Sequence, residues 1–543
     1  MTLRRVVARE FRQPSRWLSF LAGALPALLV FPGPSLSQAA WFALVPGMLL
    51  LVRSRSTREA VARGWWSGAG YLIAMLYWMA PQIGPGLVLL GAVFGGMWAP
   101  FAISVHRLLR TPLSWPRALC ALAVTPACWL VPEWIRSYQG LGGPWALYGA
   151  SQWQHPAVLA LAAVGGVWLV SVALVMANVA IVMVLQAASQ RRITLAAAGL
   201  ATLIATAGSG PLAFALTPPF PAARSVTVAM VQPGVVNDPV RRVNASEALT
   251  ASLSRGGSLG GVRPDLIVWG ESSIAEDLTL PGSRGLLRQI EALSAKDGAE
   301  ILVSQDATPP GKGHEKWAVL ISPAGIQGIY IKTRLVPFGE YIPFRQQLGW
   351  LTKISKAAGS NMTPGTGAHL LHAVDRSGRP LPIGVGVCFE SAFPDMSRVD
   401  ADLGAQLIVY QSSTSTFQGT WGPDQHASLA ALRAAETGRP AVQAALTGDT
   451  VAFDARGRQL AWLGQSGHGV VTVRLELPAA TERTPYDRFG DYVLWAGVII
   501  AALTMLIMLT GRRGFRGFLR RTTGFPGKRE AQYSPDTEQP VPS

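Results

Sequence analysis

Two patterns of apolar residues divide this 543-residue chain. Apolar runs of about membrane-spanning length recur near 17–31, 39–52, 65–81, 87–108, 118–135, 158–185 and 193–216, and once more at 492–510. Several contain Gly and Pro, which membrane helices tolerate better than soluble ones. Between the seventh and eighth runs the pattern changes. Short apolar strand candidates lie at 225–232, 265–271, 300–306, 317–322, 328–332, 382–388, 406–412, 441–447, 450–454 and 469–475. Helical periodicity marks 283–296 and 424–436. The strands are continuous apolar runs, the mark of sheets covered on both faces. The pattern therefore predicts about eight transmembrane helices and one layered α/β domain.

The predicted organisation is a membrane domain at 1–216, a Pro-rich linker at 217–224 and the α/β domain at 225–485. A last membrane helix follows at 486–511, then a basic and afterwards polar tail at 512–543, expected to be unstructured. Charge orients the helices. Arg4, Arg5, Arg9, Arg12 and Arg16 precede the first run, and Arg53, Arg55, Arg58 and Arg63 follow the second. Arg107, Arg110 and Arg117 follow the fourth, Arg191 and Arg192 the sixth, and Arg512, Arg513, Arg516, Arg520 and Arg521 the eighth. The alternate loops are nearly free of Lys and Arg, apart from Arg136 near Glu133. The positive-inside rule then puts both termini in the cytoplasm and the α/β domain on the far side of the membrane. A cleaved signal peptide in place of the first helix would spoil the alternation of charged loops.

The chain's net charge of +16 raises nucleic acid as a partner. Its distribution removes that reading. Residues 225–485 hold 23 basic and 23 acidic side chains, leaving 24 and 8 elsewhere, among the apolar runs and tails. The expected partner is a bilayer.

Three strand candidates end on reactive groups: Glu271, Lys332 and Cys388. Strand ends of an α/β sheet commonly assemble sites. A thiol to attack a carbonyl, a carboxylate to move its proton and an ammonium to hold the oxyanion suffice for acyl transfer. Each also has a plainer reading: Glu271 as a cap, Lys332 as a solvated charge, Cys388 as a small buried apolar residue. Cys388 is alone in the α/β domain, so no internal disulfide forms there. The run KTRLVPFGEYIPF at 332–344 is a fixed loop that delivers Glu340, which would orient the lysine or share in proton handling. Phe338, Tyr341 and Trp350 would offer a lipid chain apolar surface, and simple packing of the loop on its domain is the alternative.

WGES around Glu271, KTRLVPFGEY from Lys332 and GVCFE around Cys388 resemble the nitrilase-superfamily site of the apolipoprotein N-acyltransferase family. GPWALYGASQWQ (143–154), GPDQHASLAALRAAETGRP (422–440) and TPYDRFGDY (484–492) extend the resemblance over nearly the whole chain. It implies a nitrilase-like αββα sandwich with Glu271 as general base, Lys332 as oxyanion stabiliser and Cys388 as nucleophile. Glu340, Phe389 and Glu390 would support them. It implies a phospholipid acyl donor, a cysteine thioester and a diacylated lipoprotein acceptor in a bacterial cytoplasmic membrane. No cofactor or metal is expected, and a monomer is. Departures stand at Phe389, where the family usually has Tyr, at STSTF (413–417) in place of N-D-A-W-F, and at LTG (446–448) in place of N-N-G. Phe417 and Trp421 remain as candidate lipid contacts. Other readings are a membrane-anchored hydrolase, a transporter with an accessory domain and a non-catalytic scaffold. Charged residues are nearly absent from the membrane runs, which disfavours transport.

Overall fold

The computed structural model describes residues 13–234, 237–254, 263–311, 313–353 and 359–523. The arginines expected at 4–12 and the polar end at 524–543 lie outside these.

The predicted apolar runs fall largely on helix, but the second is α-helical only over Val45–Val52 and the third is continuous only to Met75. The helices are α1 (Pro14–Val30), α2 (Val45–Val52), α3 (Thr57–Met75), α4 (Gly86–Leu109), α5 (Trp115–Arg136), α6 (Pro156–Ser189) and α7 (Ile193–Leu216). Four of them, α4 to α7, are long and apolar enough to cross a membrane. α6 departs from the expected continuous span. Gly165 and Gly166 leave helical geometry and break it in two.

The α/β domain is a sandwich of two six-stranded sheets. The first is built from β1 (Ala222–Gln232), β2 (Leu266–Trp269), β3 (Glu300–Ala307), β4 (Glu315–Ser322), β5 (Gly325–Ile331) and β12 (Gly469–Pro478), in the order β12-β1-β2-β3-β4-β5. The second contains β6 (Leu370–Val374), β7 (Pro380–Val387), β8 (Leu407–Ser412), β9 (Ala441–Ala445), β10 (Thr450–Phe453) and β11 (Gln459–Leu463), in the order β11-β10-β9-β8-β7-β6. β1–β2–β3 and β7–β8–β9 run parallel, and the flanking strands are antiparallel.

Val226, Leu266 and Leu302 of one sheet meet Val385, Leu407 and Val442 of the other in a dry inner layer. α8 (Pro239–Ser254) and α9 (Arg284–Asp297) cover the outer face of the first sheet. α10 (Pro394–Leu403) and α11 (Gly422–Thr437) cover the second. α11 is buried along almost all its length, because its far side packs on the membrane helices. One apolar core thus runs from α2 through α6 to β8 and β10.

α12 (Tyr492–Thr523) follows a short helical turn at Pro485–Phe489. It continues past the expected end at 511, so the first part of the expected tail is helix. Continuous i to i+4 hydrogen bonding needs no apolar side chains, so a basic sequence can extend an apolar helix.

Candidate active site

The carboxyl ends of the parallel strands meet at one place. After β2, Gly270 lets the chain pass close to β9: a Cβ there would lie 2.4 Å from the Leu446 nitrogen. Ser412 O, at the end of β8, accepts from both Glu271 N–H (3.2 Å) and Leu446 N–H (2.9 Å). Lys332 follows β5, and its own N–H and C=O pair with Lys316 and Gly365 at 2.9 Å each. Cys388 follows β7 and opens a tight turn, Cys388–Ala392, at φ 50°. This left-handed backbone costs a residue bearing a Cβ on the order of 1 kcal/mol.

The Lys332 ammonium is buried between two carboxylates, 2.6 Å from Glu340 Oε1 and 3.4 Å from Glu271 Oε1. Burial alone would lower its pKa, but Glu340 and Glu271 raise it well above the ordinary lysine value. Glu340 is further fixed because its Oε2 accepts from Val336 N–H at 2.8 Å. Glu271 makes only the longer contact to the lysine.

Burial and then the Glu271 carboxylate push the Cys388 thiol up to about 12, against the pull of Lys332. The resting cysteine is therefore protonated at neutral pH and needs a base. In Glu271→Gln, which lacks that base, alkylation of Cys388 by iodoacetamide, followed by peptide mass spectrometry, should accelerate about tenfold per pH unit between about pH 6 and pH 9. A rate that stays flat over that range would show a preformed thiolate instead.

Glu390 links the thiol turn to the lysine loop. It is fully buried, and its Oε1 accepts from Thr333 N–H (2.7 Å), Thr333 Oγ1 (2.8 Å), Arg334 N–H (2.9 Å) and Tyr330 Oη (2.9 Å). Its Oε2 accepts from Val387 N–H at 2.7 Å. One side chain thus holds both the end of β7 and the residues after Lys332.

Several residues at the site lie in segments quoted above but were not singled out in them. His426, on α11, lies against the backbone of Cys388 and beside Ser391 and Ser412. Burial lowers its pKa to about 4, so it is neutral here. Trp145 comes from the loop after α5 and touches three rings: Phe389 (6.3 Å, 25° between planes), His426 (5.9 Å) and Trp78 (5.3 Å). A lone His in a helix and a Trp in a loop acquire meaning only when the fold brings them to the thiol. Ser413, the first residue of STSTF, sets its backbone N–H against the thiol, so that departure borders the site.

The candidate lipid contacts fall into two groups. Phe338 and Trp350 are exposed on the lysine loop, and Tyr341, beside them, is half-buried. Phe417 and Trp421 instead pack on the segments that follow α3 and α1. Phe417 lies 4.8 Å from the Trp78 ring, and Trp421 lies 5.0 Å from Tyr77 and over Gly33.

Comparison with known proteins matches residues 22–180 to the apolipoprotein N-acyltransferase N-terminal domain and 265–484 to the carbon-nitrogen hydrolase family. The apolipoprotein N-acyltransferase of Allorhizobium ampelinum is 30% identical over 489 residues, covering 84% of this chain and 88% of that protein. The enzyme of that name from Sinorhizobium fredii is 31% identical over 540 residues, covering 92% and 96%. The chain belongs to the apolipoprotein N-acyltransferase family. The protein of the same name from Chlorobaculum tepidum is 27% identical and covers 94% of this chain and 98% of its own.

Within that family framework Phe389 can be located. It is buried, edge-on to Phe393 at 4.9 Å, and its Cζ would lie 2.6 Å from a Cβ at Gly143. The position of the usual tyrosine hydroxyl thus abuts the backbone of the loop after α5. Phe389→Tyr should lower stability by about 1–2 kcal/mol through overpacking and leave acyl-transfer rates within about threefold. A thermal melt alongside a rate measurement checks both; an unchanged melt with a collapsed rate would place the ring in contact with substrate.

Proposed function

We propose that this chain is an apolipoprotein N-acyltransferase acting through a Cys388 thioester. The observation that carries the reading is the buried Lys332 held between Glu340 and Glu271 at the strand ends beside Cys388. In the first step Glu271 takes the thiol proton as Cys388 Sγ attacks the ester carbonyl of a membrane phospholipid. Lys332 N–H groups hold the oxyanion, and Glu271 returns the proton to the departing glycerol oxygen. In the second step the α-amino group of a diacylglyceryl-modified N-terminal cysteine attacks the thioester. Such an amine has a pKa of about 8, so a useful fraction is nucleophilic near neutrality. Glu271 takes its proton and passes it to the departing thiolate. Splitting the transfer lets two bulky lipids use one site in turn. Glu340, Glu390 and Phe389 support the constellation, while Phe338, Tyr341 and Trp350 offer surface to acyl chains.

The same reading places the chain in a bacterial cytoplasmic membrane as a monomer, with eight spans, both termini inside and the sandwich outside. The arginines clustered at alternate ends of the helices support it.

The test is mass spectrometry of the purified protein with phospholipid, then with a diacylated lipopeptide. An acyl adduct on Cys388 that becomes a triacylated lipopeptide is the expected result. Free fatty acid as the sole product would make the chain a hydrolase, and the absence of any adduct would remove the thioester.

A further inference from the structure

The break in α6 is closed by side chains from the catalytic domain and from the segment that follows it. Gly166 stands at φ 68° and ψ −178°. An interrupted helix frees backbone groups that find no water inside a bilayer. Here the Val167 N–H donates to Glu436 Oε1 at 2.9 Å, and Val164 O accepts from Tyr492 Oη at 3.2 Å. Trp168 Nε1 and Tyr486 Oη both donate to Asp491 Oδ1, at 2.8 and 2.9 Å. The Tyr486 ring fills the space over Gly166, where a Cβ would lie 2.6 Å from it. Glu436 is itself fully buried and paired with Arg433, whose Nε lies 3.1 Å from Oε2.

The position of the break along α6 is informative. Residues 167–189 would make a helix of about 34 Å, close to the roughly 30 Å of a bilayer's hydrocarbon core. The break therefore falls where a membrane-length helix begins, and the carboxylate of Glu436 sits at that helix's positive end.

Glu436 closes the last turn of α11, and the first turn of α11 is tied to the turn that follows α3. Tyr77 Oη accepts from Trp421 N–H at 3.2 Å, and Trp78 Nε1 donates to Gln425 Oε1 at 2.9 Å. His426, the next residue, backs the Cys388 turn. α11 is thus a strut fixed to the membrane domain at both ends, with the nucleophile's turn resting on it.

We propose that Glu436 is a positioning residue that, through the break in α6, sets the height of Cys388 above the bilayer. This inference rests on the acyl-transfer reading. Transfer from a donor embedded in a bilayer should depend on Glu436, and transfer from a soluble donor should not. The full-length protein in lipid nanodiscs would be followed by mass spectrometry of the Cys388 adduct. One donor is the nanodisc phospholipid, and the other is a water-soluble short-chain p-nitrophenyl ester.

Glu436→Ala should slow acylation from phospholipid about tenfold or more while acylation from the ester stays within about twofold. Glu436→Gln keeps a carbonyl for the Val167 N–H and should restore most of the lost rate. Equal loss with both donors, or loss with neither, would overturn the positioning role. Should Glu436→Ala fail to insert, Tyr492→Phe removes one hydroxyl on the other side of the break and is read by the same ratio of rates. A wild type that forms no adduct with either donor defeats the acyl-transfer reading itself, and the positioning role falls with it. An active wild type with a donor-independent defect defeats the positioning role alone.

Discussion

Cys388→Ala should reduce acyl transfer to background, and Cys388→Ser should lose at least about a thousandfold. The serine result is the more informative. Its hydroxyl is a far weaker nucleophile than the thiol, and the neutral imidazole of His426 is not placed to activate it in the manner of a serine hydrolase. His426 packs against the backbone of residue 388 and the neighbouring serines. Both variants should fold, because the thiol contributes little packing at a half-buried position at the margin of the inter-sheet core. Rates of lipopeptide N-acylation, with a thermal melt in the same detergent, decide the matter. Appreciable transfer by the alanine variant would end the thioester mechanism.

The second large effect is expected at Glu390. Five donors converge on its two oxygens. Glu390→Ala leaves all five without that acceptor in a buried site. Each unsatisfied buried donor costs about 1–3 kcal/mol, though relaxation and entering water would return part of that. A net loss on the order of 5 kcal/mol would consume much of the stability of an ordinary domain. Glu390→Gln keeps one oxygen and turns the other into a donor that faces donors, so it should be intermediate in stability. Both should nearly abolish transfer, because the residues after Lys332 and the end of β7 lose their common anchor. Displacements near 1 Å in a catalytic constellation cost about a hundredfold. A glutamine variant with wild-type melting and rate would show that Glu390 is only one of several redundant ties.

These residues also show what the sequence made legible. Glu271, Lys332 and Cys388 stood out because each ends an apolar run, and the fold places all three at strand ends. Glu340 was readable from the loop that delivers it, and its 2.6 Å contact with the lysine follows from that loop's shape. The ten strand candidates recovered the centres of both sheets. The two that escaped, β6 and β11, are the edges of the second sheet. Both are half-exposed; His372 interrupts LLHAV, and QLAWL has an apolar run of four residues between polar ends.

The break in α6 escaped for a related reason. Paired glycines are common in membrane helices, and only the partners Glu436 and Tyr492, remote in sequence, make Gly165–Gly166 a discontinuity. Phe417 and Trp421 stood as candidate lipid contacts through the resemblance around STSTF. The fold also gives each of them a ring partner just after α3, Trp78 and Tyr77, and that pairing is invisible in one dimension.

The left-handed backbone at Cys388 carries a further consequence, for anyone who would stabilise this protein by mutation. A residue with a Cβ is strained at φ 50°, and glycine is not. On thermal robustness alone, position 388 is a place to improve by discarding the cysteine. A library screened only for expression or heat tolerance would therefore enrich inactive chains at this codon, and only a screen that demands turnover would keep the thiol.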